Sequence, residues 1–197
     1  MGGVTLLLAK LLYAACMVAW WVIRYPSERR NKRNTIIRNE RDRREWTLLT
    51  ISFIGLGVIP GAYILTGFPR SLNQGFSPYR AWVGFALFLG ALLLFRATHK
   101  ALGRNWSVTL AVRQEHTLVT DSVYRLVRHP MYLAFWLWAL AQVCLLQNWF
   151  AGLSGVIGFG TLYAFRIGRE ERLMRETFGP VWDAYVARSW RLLPLLH

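Results

Sequence analysis

Cysteine and acidic residues are both scarce in this sequence. Its 197 residues include two cysteines, Cys16 and Cys144, each inside an apolar run. Two such residues make no disulfide framework, and no Cys/His spacing suited to zinc accompanies them. Both read as small buried apolar side chains. Ten acidic residues stand against 24 Lys and Arg, a net charge of +14. Several catalytic signatures are missing as well. There is no G-x-G-x-x-G within a βαβ pattern, no P-loop, no G-x-S-x-G elbow and no H-E-x-x-H. Rossmann, P-loop, serine-hydrolase and zincin chemistry lose their sequence support. No internal repeat and no low-complexity segment occurs. No small-residue cleavage site follows the first apolar run, which carries Lys10 and reads as a retained span rather than a signal peptide.

Apolar residues are abundant, at 54% of the chain, and ten are Trp. They gather in runs of up to about 20 residues, the length that crosses a hydrocarbon core of about 30 Å at about 1.5 Å per residue. Five spans are expected: Val4 to Ile23, Trp46 to Leu65, Ala81 to Phe95, Met131 to Leu146 and Trp149 to Phe165. Pro60 and the small residues Gly57 and Gly61 sit near the end of the second. Only Gln147 and Asn148 separate the fourth from the fifth, so these two form an antiparallel helical hairpin. The expectation is an all-α, polytopic membrane helical bundle in one domain, 1–197. Three N-terminal spans occupy 1–95 and a catalytic region occupies 96–197.

The basic residues lie in blocks between these runs, not on an aromatic-basic surface. Membrane orientation explains that placement, and nucleic acid is not an expected partner. Nine Arg or Lys fall between Arg24 and Arg44, six between Arg96 and Pro130, and six from Arg166 onward, against two in Thr66 to Arg80. Positive charge marks cytoplasmic loops. Five spans then give an outside N-terminus and a cytoplasmic C-terminus, and the two larger polar pieces share the cytoplasmic side.

Three stretches on that side carry potential chemistry. In "RLVRHPMY", Pro130 lacks an N–H and suits the first turn of the fourth span. The helix start, Arg128 and His129 together offer donors to an anion or carboxylate, with Tyr132 on the first turn. A second reading fits equally: Arg128 and His129 anchor at lipid headgroups, and Tyr132 joins an interfacial aromatic belt. In "FRIGREERLMRETFG", Arg166 and Glu170, and Glu171 and Arg175, are spaced four apart as in ordinary helical ion pairs. Arg166 at the end of the fifth span either faces a polar cavity or snorkels to the interface. In "EHTLVTDSVYRLVRHP", Thr117 to Thr120 read as an extended or irregular piece before a helix near Asp121, capped by Asp121 or Thr120. The tail from Gly168 to Arg188 is expected as two short helices broken at Gly179-Pro180, with Leu173, Phe178, Trp182 and Tyr185 on one face.

In this order the pieces resemble the isoprenylcysteine carboxyl methyltransferase family. The resemblance runs from about Ala101 to Pro194: "LGRNWS" (Leu102 to Ser107), "HTLVTDSVYRLVRHPMY", the tight hairpin, "FRIGREERLMRETFG" and "RLLP". It is closest to the short prokaryotic five-span members, which places the chain in a prokaryotic inner membrane. The resemblance implies an S-adenosylmethionine pocket on the cytoplasmic side, closed over by the tail, and methyl transfer to a lipophilic acceptor drawn from the bilayer. By motif position it implies that His116, Thr117, Leu118, Val119, Tyr124, His129, Pro130, Met131, Tyr132 and Glu170 bind the cofactor. Arg166 matches the substrate-side arginine, and Arg166, Glu170 and Arg191 are the candidate catalytic residues; no metal is implied. Phospholipid or small-molecule N- or S-methylation, and NADPH-dependent reduction by a protein of related architecture, remain the alternatives. Two positions depart from the family pattern, which often has Gly where Ser122 stands and Tyr where Trp182 stands.

Overall fold

The computed structural model describes residues 5–31, 36–39, 42–103, 111–113 and 117–193. Its long helices are α1 (Leu6–Asn31), α2 (Arg43–Phe53), α3 (Ile59–Thr66), α4 (Pro78–Leu102), α5 (Pro130–Leu146), α6 (Trp149–Phe178) and the short α7 (Pro180–Val186). Leu6–Arg29, the continuous Arg43–Thr66 segment, α4 and α6 are long and apolar enough to cross a membrane, and α5 is a shorter apolar helix of 17 residues. Outward faces carry Leu11, Val18, Val22, Phe53, Leu65, Leu93 and Ile157, all exposed. An apolar surface this extensive belongs against lipid. The protein is an integral membrane helical bundle, as the hydropathy pattern predicts.

Each helix turns one stripe inward. Ala9, Tyr13 and Cys16 on α1 and Ala81, Gly84, Phe88, Ala91 and Phe95 on α4 are buried at three- and four-residue spacing. α5 packs between α4 and α6, α1 lies across α4 and α5, and α2 lies against α6. Glycines permit close approaches at several helix contacts, the closest at Gly55, whose added Cβ would run into the Ser154 carbonyl oxygen. A Cβ on Gly84 would stand 2.7 Å from Cys144 Cβ, and one on Gly158 would stand 2.8 Å from the Ile51 carbonyl oxygen. Gln147, with φ 47°, ends α5 in the left-handed conformation, and the Asn148 side chain accepts from Ala151 N–H to start α6. The expected hairpin is present. Its polar pair also secures the opposite loop: Gln147 Oε1 accepts from Ser77 N–H at 2.7 Å, and Asn148 Nδ2 donates to the Pro69 carbonyl at 2.8 Å.

The second span has a feature with a sequence cause. Between α2 and α3 the chain makes one π-helical turn, Ile54–Val58. Pro60 has no N–H, so the carbonyls one turn earlier lose a backbone donor. In a bilayer such groups must be satisfied within the protein. Side chains from three other helices do so. Gly55 O accepts from Gln142 Nε2 and from Ser154 Oγ at 3.1 and 2.8 Å, and the Tyr13 hydroxyl reaches Leu56 O at 3.0 Å.

Three expectations require correction. The tail is not two short helices separate from the fifth span: α6 continues unbroken to Phe178, because nothing before Gly179-Pro180 interrupts it. The helix near Asp121 is a single 3-10 turn, Ser122–Arg125, and the Asp121 side chain makes no capping bond. Glu171 does not pair with Arg175, which bonds Asp183 at 2.9 Å instead. One element adds to the all-helical pattern. Strand β1 (Ile36–Asn39) pairs antiparallel with β2 (Ala111–Arg113), joining Ile36 to Arg113 and Asn39 to Ala111 across a bulge.

Candidate functional site

A cavity of about 620 Å³ opens among the ends of α1, α2, α5 and α6, roofed by the 117–129 loop and α7. Of the residues singled out in the sequence, Thr117, Leu118, Val119, Tyr124, His129, Met131, Tyr132, Arg166 and Glu170 line it. Pro130 is the first residue of α5 and is buried just behind the wall. His116 and Arg104 to Ser107 lie outside the described residues. Arg191 does not line the cavity.

The roof is built by pairing the tail with the loop. Arg128 N–H donates to Trp190 O at 2.7 Å, Trp190 N–H to Leu126 O at 2.8 Å and His129 N–H to Arg191 O at 3.2 Å. These bonds make a short parallel bridge between Val127 and Trp190. The Tyr185 hydroxyl donates to Tyr124 O at 2.6 Å, and Arg128 donates to the Val186 and Ser189 carbonyls. Burial in this position pushes the Tyr185 hydroxyl up to about 12. Arg128 and His129 are 5% and 4% exposed, so they anchor the roof and not a lipid headgroup. Ser122 takes φ 53°, a conformation in which glycine is at ease and a serine is strained.

Beneath the roof the charges interlock. His129 sits between two carboxylates, with Nε2 3.2 Å from Glu171 and Nδ1 3.7 Å from Glu170. Burial opposes the charged imidazole, but these carboxylates outweigh it and raise the His129 pKa. Glu171 is gripped from outside by Arg191 through Nε at 3.0 Å and a second nitrogen at 2.6 Å, and Arg128 Nε approaches at 3.6 Å. Arg191 thus acts on the cavity through Glu171, which faces His129 and Arg128. The Tyr132 hydroxyl donates to Glu170 in a short hydrogen bond. Arg166, 8% exposed, faces Glu170 at 3.8 Å and Glu45 at 3.3 Å. It turns inward; the snorkelling reading does not fit.

Sequence reasoning missed Glu45. In Asp42-Arg43-Arg44-Glu45, the Asp42 side chain accepts from Glu45 N–H at 2.7 Å, so the acid three places on reads as half of a capping box. Its carboxylate instead turns toward Arg166 and is fully buried. Trp182 and Tyr185 were legible only as an apolar face. In the structure both line the cavity, and Trp182 Nε1 is buried with no hydrogen-bond partner among the described residues.

Walls of opposite character meet here. Met17, Trp20, Trp21, Leu49, Phe53 and Leu56 make a broad apolar side, whereas Tyr124, His129, Tyr132, Arg166 and Glu170 make a polar end. Such a cavity suits a ligand with a lipophilic tail and a polar head beside a polar cosubstrate. No His/Cys/Asp/Glu cluster suited to a metal occurs among the described residues.

Residues 82–176 match the isoprenylcysteine carboxyl methyltransferase (ICMT) family, which covers the resemblance read from the sequence as far as Glu176 and leaves its RLLP element outside. The chain is 33% identical over 132 residues to the protein-S-isoprenylcysteine O-methyltransferase of Schizosaccharomyces pombe, covering 66% of this chain and 56% of the relative. It is 26% identical over 152 residues to a probable protein-S-isoprenylcysteine O-methyltransferase of Oryza sativa, covering 76% of each. Among solved structures it resembles a eukaryotic intramembrane Ras methyltransferase, isoprenylcysteine carboxyl methyltransferase. The TM-score is 0.52 at 17% identity, over 81% of this chain and 55% of that one. The chain therefore spans little more than half the length of the fission-yeast relative and of the solved protein, and the likeness to the latter shows a shared membrane helical fold.

Proposed function

We propose that this chain, matched to the isoprenylcysteine carboxyl methyltransferase family over 82–176, is an S-adenosylmethionine-dependent methyltransferase. Its acceptor is a lipophilic carboxylate of the isoprenylcysteine type, drawn from the cytoplasmic leaflet. One observation carries the reading: a single cavity joins an apolar wall among the helices to a polar end built from the family-matched residues. The polar end fits the cofactor. It offers a buried indole N–H without a partner on Trp182, a carboxylate on Glu170 and imidazole and phenol groups on His129 and Tyr132. Glu170, His129, Tyr132 and the Thr117 to Val119 loop would hold it. When bound, S-adenosylmethionine supplies a methyl group on a positively charged sulfur.

The chain's own residues have three tasks. The roof of α7 and the 117–129 loop excludes water from the reacting end. The apolar wall of α1 and α2 seats the lipophilic tail. Arg166 orients the acceptor head at the junction, and two parallel N–H donors suit a carboxylate. A carboxylate is already ionised at pH 7, so no general base is needed. Positioning donor and acceptor is the main demand, with reacting atoms about 3–3.5 Å apart. The blocks of positive charge support a cytoplasmic C-terminus and an outside N-terminus, and the likeness to short family members supports a prokaryotic inner membrane.

Calorimetry on detergent-purified protein tests the reading. S-adenosylmethionine and its demethylated product should bind and NADPH should not; binding of NADPH alone would make the protein a reductase. Arg166→Ala should then reduce turnover about 100-fold or more, near 2.7 kcal/mol of transition-state stabilisation, with cofactor affinity unchanged. Full turnover in that variant would remove Arg166 from the acceptor site.

A further inference from the structure

Arg166 is held from behind by a carboxylate that lies outside the family-matched segment. Glu45 is the third residue of α2, in the N-terminal half of the chain, and none of its surface is exposed. Its Oε1 lies 3.3 Å from an Arg166 terminal nitrogen. The neighbours Trp46 and Leu49 line the cavity and Glu45 does not, so the order from cavity to core is Arg166 first and Glu45 behind. Glu170 meets the same guanidinium from the cofactor end, through Nε at 3.8 Å. Two carboxylates on two helices thus bracket one cation, one beside the cofactor residues and one at the base of the acceptor wall.

A buried carboxylate is stable there only with a cation beside it. Glu45 carries no hydrogen bond to either carboxylate oxygen among the described residues, so Arg166 is its charge partner. The pair is also reciprocal. A guanidinium on a long flexible stem has many rotamers, and a fixed anion behind it selects one. Glu45 is itself fixed, because Asp42 caps α2 through Glu45 N–H and ties that first turn down.

We propose that Glu45 is a positioning residue for the acceptor: it holds the Arg166 guanidinium in the one orientation that meets the acceptor head. This rests on the methyl-transfer reading. It gives the N-terminal spans a part in the chemistry beyond walling the cavity, since α2 carries both the apolar wall and the anion that sets the arginine.

S-farnesylcysteine, as a lipophilic carboxylate probe, reports the effect in detergent-purified protein. Glu45→Gln keeps the shape and removes the charge. It should lower kcat for the probe about tenfold, with a smaller change in its KM and none in S-adenosylmethionine Kd. A purely structural role would instead lower Tm and weaken cofactor binding together with turnover, and that pattern overturns the proposal. So does a variant as active as the wild type. If Glu45→Gln cannot be purified folded, Glu45→Asp decides: it draws the charge back by one methylene and should cost about threefold in kcat with cofactor Kd unchanged, where no loss overturns the proposal. Absence of wild-type turnover on the probe overturns the acceptor reading, and this proposal with it. Turnover in the wild type that is insensitive to Glu45 overturns this proposal alone.

Discussion

Two buried polar clusters in the bundle are built by opposite rules. In the centre of the bundle, Gln142 donates to Gly55 O, Ala151 O and Ser154 Oγ at 3.1, 2.6 and 3.0 Å and accepts from the Tyr13 hydroxyl at 2.8 Å. Trp138 Nε1 completes the set by donating to that hydroxyl at 3.0 Å. Every group in the set is neutral, and the cluster is closed. Around Arg166 the groups are charged, the ion pairs stand at 3.3 and 3.8 Å, and the cluster opens on a cavity. Neutral groups at close range repair the backbone that Pro60 interrupts. Charged groups at looser range can exchange a protein partner for a ligand. On the proposed function, the difference separates polar residues that hold the helices together from those that meet a substrate.

The comparison predicts that truncation in the open cluster affects binding first. Glu170→Ala removes the carboxylate that the Tyr132 hydroxyl donates to and that faces both His129 and Arg166. Cofactor Kd should rise about tenfold or more, near 1.4 kcal/mol, by calorimetry. An unchanged Kd would take Glu170 out of the cofactor site and make the open cluster structural like the closed one.

The closed cluster should respond in the other currency. Tyr13→Phe leaves Gln142 Oε1 and Leu56 O without that hydroxyl and strands the Trp138 N–H. Buried hydrogen bonds in membrane bundles contribute only about 0.6–1.7 kcal/mol each. The expected cost is about 1 kcal/mol, or about 2–4 °C in Tm, with cofactor Kd and turnover unchanged. A change in turnover without a change in Tm would connect the two clusters and dissolve the distinction.

The closed cluster was the less legible of the two in sequence. Span positions, the hairpin at Gln147-Asn148 and the start of α5 at Pro130 follow from hydropathy and backbone chemistry, signals local to the chain. Nothing local says that Pro60 will be served by Tyr13, Gln142 and Ser154, because that match requires four segments to be in register. The open cluster was half legible. His129, Tyr132, Arg166 and Glu170 each had an ordinary reading of equal weight, as headgroup anchor, aromatic belt, helical ion pair or snorkelling arginine, and the family resemblance singled them out. Glu45 was passed over because it stands one place before the apolar run that begins at Trp46, next to a basic block, and Arg191 was recognised by its motif but works one layer behind the cavity, on Glu171. Ser122 was flagged for its backbone, and its φ of 53° is a conformation that favours glycine.

The smallest expected effect lies at the seam between roof and cavity and concerns protons. His129 faces Glu170 and Glu171, with Arg128, Arg166 and Arg191 bonded to or paired with those same carboxylates. Burial disfavours the imidazolium, yet the two carboxylates raise the His129 pKa above its ordinary value near 6.5. A group whose pKa is raised on folding binds its proton more tightly when folded. Its contribution to stability is complete below the unfolded value and is lost as pH climbs through the folded one. The Tm of the wild type should therefore exceed that of His129→Gln most at about pH 6, and the gap should narrow, by about a few degrees, as pH rises past the elevated value. The closed cluster contains no group that titrates in this interval, so the Tm loss in Tyr13→Phe should stay level over the same range. A His129→Gln gap that also stayed level would mean that the imidazole is neutral between its two carboxylates. Its bonds would then be of the same neutral kind as those around Gln142.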